Sequence, residues 1–135
     1  MPFIHWTESL SVGIESIDEQ HKQLVAIIND LNDAMKNNEA DQMIAEIFKR
    51  MIGYTELHFA FEENLFDSYG YEGSPAHKAQ HVALIETIRS LQLKLDAGDV
   101  RVGIEVMAFL KRWLTDHILK TDKDYAEYLL EQGVK

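Results

Sequence analysis

Apolar residues recur at three-and-four spacing in four separate stretches of the chain, the pattern of amphipathic helices. The first stripe runs through His21, Leu24, Val25, Ile28, Leu31 and Met35. Ahead of it, Ser16-Ile17-Asp18-Glu19 reads as a capping box, with Ser16 as N-cap and Glu19 at the third helical position. The polar run Lys36-Asn37-Asn38-Glu39 ends this helix. A second stripe passes through Ile44, Ile47, Met51, Tyr54, His58, Glu62 and Leu65 and stops near Gly70. Ser74-Pro75 then offers an N-cap and a first-turn proline to the third stripe. That stripe is His77, His81, Leu84, Ile88, Leu91 and Leu95, closed by Gly98. The fourth follows Met107, Leu110, Leu114 and His117 and continues toward Tyr128 and Leu129. No stretch carries a strand signal, and there is no repeat or low-complexity segment.

Short connections make neighbouring helices antiparallel. The expected fold is therefore all-α: an up-down-up-down four-helix bundle, with residues 1–135 forming a single domain. Residues 1–15 are expected to form an extended N-terminal arm anchored by Trp6, with the bundle starting at about residue 16.

Five of the six histidines lie on these stripes. Positions four apart share a helix face, so His58/Glu62 and His77/His81 are each a two-toothed clamp. In an up-down-up-down bundle the starts of helices one and three share an end with the finishes of helices two and four. His21, His77 and His81 lie near such starts; His58, Glu62, His117 and Asp122 lie toward such finishes. All seven therefore fall at one end and at similar depth. Buried imidazoles and carboxylates are costly unless something compensates them, and a metal does so. His117 and Asp122 fit less simply, because five residues subtend roughly 140° on a regular helix. Both can face one site only if the last helix bends or widens in the π manner within 117–122.

Five imidazoles and two carboxylates are too many ligands for one ion. Shared between two six-coordinate ions, with both carboxylates and an oxide or hydroxide bridging, they leave one position open. Hard oxygens with imidazoles suit iron or manganese, whereas zinc usually takes four ligands.

Composition narrows the choice further. The chain contains no cysteine, which excludes disulfides, thiolate-ligated zinc and iron–sulfur clusters. A formal net charge of −10 argues against nucleic acid or anionic membrane as partner. There is no run of about 18 apolar residues, so no membrane insertion is expected. The first residues lack the features of a signal peptide, and a cytoplasmic location is the simplest expectation.

At Ile17-Asp18-Glu19-Gln20-His21-Lys22, His58-Phe59-Ala60-Phe61-Glu62-Glu63, His77-Lys78-Ala79-Gln80-His81 and His117-Ile118-Leu119-Lys120-Thr121-Asp122, the chain resembles the hemerythrin family in its single-domain bacterial form. No one piece is specific; the ordered set is. The resemblance implies a non-haem di-iron centre that binds dioxygen reversibly, each ferrous ion lending an electron, with an oxo or hydroxo bridge. His77, His81 and His117 would hold one iron, and His21 and His58 the other, which keeps the open position. Glu62 and Asp122 would bridge. Trp113, Leu114 and Ile118 occupy positions that in the family wall the dioxygen pocket, although they serve equally well as plain core. Tyr54 and Tyr125 either hydrogen-bond near the site or simply pack. His5 lies outside the pattern, and Glu8, Glu15, Asp41 and Glu46 read as solvated surface.

The implied function is dioxygen carriage, storage or delivery rather than enzymatic turnover, with any protein acceptor unidentified. A redox enzyme acting on peroxide or nitric oxide would need an electron source, and no flavin, haem or cysteine-pair motif offers one. A sensor would need an output partner, and an iron store would need a caged assembly. Dioxygen-activating bundles carry Glu-x-x-His motifs, and none occurs in this chain.

Overall fold

The computed structural model describes residues 4–37, 41–97 and 102–134. Among the described residues there are five α-helices: α1 (Glu15–Lys36), α2 (Asp41–Tyr69), α3 (Ser74–Asp96), α4 (Val102–Asp116) and α5 (Lys123–Glu131). A π-helical segment, His117–Asp122, joins α4 to α5, so that these three make one continuous rod. The described residues contain no strand.

Cross-links between helices fix their directions. Gln20 meets His58 while Asp30 meets Arg50, so α1 and α2 run antiparallel. Glu56 pairs with Arg89 and Asp67 with Lys78, which does the same for α2 and α3. The fourth rod closes the ring, with α4 packing on both α3 and α1. Four amphipathic rods thus bury their stripes against one another, as the three-and-four spacing requires.

The stripes of α1 and α3 face inward largely as expected, with Leu24, Val25, Ile28, Leu31, Leu84 and Ile88 buried. On α2 the buried face is broader and rotated. Phe48, Ile52, Thr55, Phe59 and Phe66 join Met51, His58 and Glu62 inside, while Ile44, Ile47, Tyr54 and Leu65 are only partly covered. A helix wedged between two neighbours buries two adjacent lanes, and a single-lane stripe understates it.

Two helix starts differ from expectation. Helix α1 begins at Glu15 with Ile14 as N-cap and no side-chain cap, so Ser16 and Glu19 form no capping box. Asp18 takes over the first turn: its carboxylate accepts from the Ser11 hydroxyl at 2.5 Å and from the Val12 N–H at 2.9 Å. This ties the incoming arm across the helix start. Helix α3 begins one residue early, with Gly73 as N-cap, Ser74 inside the first turn and Pro75 beside it. At the end of α2, Gly70 adopts φ +65° and the Tyr71 N–H donates to the Phe66 carbonyl at 3.0 Å. That is a Schellman closure, which a left-handed glycine permits. Helix α3 stops at Asp96; Gly98, expected to close it, lies outside the described residues.

The arm is more structured than a plain extension. It contains a short 3-10 turn, Glu8–Leu10, and buries Ile4, Leu10, Val12 and Ile14. The Asn29 side chain clasps both backbone groups of Ile4, accepting from its N–H at 2.8 Å and donating to its carbonyl at 2.9 Å. Trp6 is half-buried, with the Lys22 ammonium 5.4 Å from its ring centre. The anchor is thus the aliphatic row and Asn29 together, and Trp6 assists.

Candidate metal centre

The seven predicted residues converge inside the bundle, and every one of them is buried. His21 comes from α1, His58 and Glu62 from α2, His77 and His81 from α3, and His117 and Asp122 from the two ends of the π segment. An i→i+5 turn brings residues five apart onto one face, which reconciles His117 with Asp122. His117 Nε2 lies 2.9 Å from Asp122 Oδ1.

The donor atoms sort into two clusters. One is His77, His81 and His117; the other is His21, His58, Glu62 and Asp122. The carboxylates reach across both. Glu62 Oε1 faces His58 and His21, while Oε2 lies 3.4 Å from His77 and 3.9 Å from His81. Asp122 Oδ2 is 3.1 Å from His21 and Oδ1 is 3.3 Å from His77. The imidazole rings are close: His21–His58 centroids are 4.6 Å apart and His77–His81 centroids 4.5 Å.

Most of these atoms lack hydrogen-bond partners. Nε2 of His21, His77, His81 and His117 and all four oxygens of Glu62 and Asp122 are buried and unsatisfied. Groups of this kind are rarely left so in a native interior. Cations would satisfy them together, so the donor set fits a metal centre.

Without metal, protons take that part. Burial pulls His21 and His77 down, but contacts with Asp122 and Glu62 outweigh it and raise both to about 9. Burial alone would push Glu62 and Asp122 up; the surrounding histidines instead hold both carboxyls well below the usual range. His81 is lowered to about 3, chiefly by burial.

Residues around the donors hold them in place. His58 Nδ1 lies 2.6 Å from Gln20 Oε1. Phe59 stacks flat on His81, with centroids 3.6 Å apart and planes within 3°. Trp113 stacks on His117 at 4.8 Å and meets the edge of Phe59 at 5.9 Å. Leu114 and Ile118 are buried on the same rod. Tyr125 is fully buried, its ring against His77 at 5.2 Å and its hydroxyl unpartnered and pushed up by burial and the two carboxylates. Tyr54 instead packs half-buried on the core, its hydroxyl raised by burial and by Glu19. His5, Glu8, Glu15 and Glu46 are exposed, and the Asp41 side chain lies outside the described residues.

Gln20 and Phe59 had no role assigned from sequence. Their positions immediately beside His21 and His58 were the available signal, since a residue adjacent to a ligand often supports the ligand on a neighbouring helix.

A four-helix bundle that gathers five histidines and two acids in this way defines a class of non-haem metal protein. The model of the hemerythrin HHE cation binding domain matches residues 12–129, and the chain belongs to the hemerythrin family. It is similar to the bacteriohemerythrin of Pseudomonas aeruginosa, at 39% identity over 127 residues, covering 94% of this chain and 82% of that protein. To the bacteriohemerythrin of Methylococcus capsulatus it is 32% identical over 130 residues, covering 96% and 98%. A crystal structure of wild-type hemerythrin superposes with a TM-score of 0.85 at 31% identity, covering 93% of this chain and 96% of that one. A hemerythrin variant superposes at 0.87 and 30% identity, covering 94% and 97%. No described helix is long and apolar enough to cross a membrane.

Proposed function

We propose that this chain binds dioxygen reversibly at a non-haem di-iron centre and serves in its carriage, storage or delivery. His77, His81 and His117 would hold one iron, His21 and His58 the other, with Glu62 and Asp122 shared between them. The observation that carries this reading is the division of the buried donors into a three-imidazole cluster and a cluster of two imidazoles with both carboxylates. The second cluster offers one imidazole fewer, so a vacancy for a small ligand falls on the His21/His58 side. When bound, the paired ferrous ions would supply the two electrons that dioxygen takes up.

The chain's own residues do the rest. Neutral imidazoles keep the centre less electron-rich than a carboxylate-dominated set would, which favours release over activation. Leu114 and Ile118, both buried, with Phe59 and Trp113 stacked on the imidazoles, surround the donors with apolar surface that excludes water. A dry pocket retards irreversible oxidation, because loss of reduced oxygen requires water and protons to enter.

A sensing role is the second reading. It is favoured by the packing of the arm's Glu8–Leu10 turn against the ligand-bearing π segment, a contact through which ligation could be felt outside the bundle.

The deciding experiment is a visible spectrum of iron-loaded, dithionite-reduced protein as dioxygen is admitted and then purged. A ligand-to-metal charge-transfer band that rises with dioxygen and bleaches on purging is the expected result. A one-way change to the diferric spectrum would refute reversible binding.

A further inference from the structure

We infer that Gln20 is a positioning residue for the di-iron centre: it straps the His21/His58 half-site together and holds the His58 ring with Nε2 toward the other donors. The inference rests on the di-iron reading above. Gln20 precedes His21 on α1, yet its side-chain oxygen reaches across to His58 Nδ1 on α2 at 2.6 Å, a contact spanning 38 residues of chain. An amide oxygen only accepts, so Nδ1 carries the hydrogen and Nε2 presents its lone pair. His58 Nε2 is the nitrogen that faces Glu62 and the other donors of its cluster. One hydrogen bond thereby fixes the tautomer, the ring orientation and the α1–α2 spacing at the half-site.

The identity of the acceptor matters as much as its place. A carboxylate here would draw the Nδ1 proton toward itself and make His58 a stronger donor, favouring ferric iron. An uncharged amide holds the ring without that push. His21 and His81 differ: the Nδ1 of each is buried without a hydrogen-bond partner, and His81 Nδ1 lies 4.0 Å from the Glu63 carboxylate. The support is therefore particular to His58, on the half-site proposed to meet dioxygen, and it is tight and electrically neutral.

Two variants of the iron-loaded protein separate positioning from packing. Gln20→Leu should release one of its two irons to a ferrous chelator roughly 10–100-fold faster than wild type, the usual consequence of losing such a support. Gln20→Glu, which keeps the acceptor, should retain both irons at the wild-type rate but show a lower reduction potential. Each tenfold gain in preference for ferric iron corresponds to about 59 mV for one electron. Wild-type release from Gln20→Leu, or an unchanged potential in Gln20→Glu, overturns the inference while leaving the di-iron reading intact. If Gln20→Leu fails to fold, the potential of Gln20→Glu decides. A wild-type chain that takes up no iron defeats the di-iron reading and this inference together.

Discussion

Stripped of metal, the protein should lose stability as pH rises from 6.5 to 9, and the iron-loaded protein should not. Glu62 and Asp122 are both wholly buried, and in the metal-free interior His21 and His77 balance them as imidazolium ions. The two histidines titrate near 9 rather than 6.5. A raised histidine contributes stability that is complete below its unfolded value and disappears as pH climbs through its folded one. Each pH unit in that window is worth about 1.4 kcal/mol per proton. From 6.5 to about 9 the loss is on the order of 3 kcal/mol for each histidine, and about twice that for the pair. Domains of this size hold only about 5–15 kcal/mol in all. At about 4 °C per kcal/mol, the melting temperature should fall by about 25 °C. His81, lowered by burial, matters only below 6.5, and the two acids only in acid. Bound iron occupies the nitrogens that would otherwise hold protons, so loading removes the dependence. Thermal unfolding followed by circular dichroism at pH 6.5, 7.5 and 9, with and without iron, measures both arms. A stripped protein whose melting temperature stays level across that range would refute the reasoning.

Three further outcomes follow from particular contacts. His77→Ala removes a nitrogen that faces both Glu62 and Asp122, and iron analysis should find no more than one ion per chain. Leu114→Ala, at a position 1% exposed, should keep both irons yet oxidise faster in air. It should also lower stability by about 2–5 kcal/mol, the usual cost of such a cavity; an oxidation rate equal to wild type would remove Leu114 from the pocket wall. Asn29→Ala deletes both clasps on Ile4 and should cost about 1–3 kcal/mol. Amide hydrogen exchange in residues 4–12 should quicken before that of the bundle.

Much of this was legible in the sequence because the two strongest signals are periodic. The bundle follows from three-and-four spacing, and the donor cluster from where histidines and acids fall relative to helix ends. The five-residue interval between His117 and Asp122 was legible as a conflict, and the π segment at those residues resolves it. What escaped depended on contacts between rods. Ser16 and Glu19 have the composition of a cap, but Asp18 reaches the arm first, and the composition cannot show which acid wins. Phe48, Ile52, Phe59 and Phe66 lie inside because α2 is flanked on two sides, which a one-lane stripe does not encode. Gln20 bonds a residue 38 positions away, beyond any local pattern.

The π segment also bears on how such a centre could be transplanted or lost. It shifts the phase of the fourth rod, so that Leu114 ahead of it, His117 and Asp122 at its two ends and Tyr125 beyond it all turn inward. A strictly regular helix of the same composition would turn part of that set away. Deleting a single residue within 118–121 would let the rod become a regular helix with His117 and Asp122 four apart and still on one face, so the irregular turn compensates for one extra residue. Grafting these seven donors at their present spacing onto an idealised bundle would turn Asp122 away, unless the irregular turn were copied with them or the interval from His117 shortened to four.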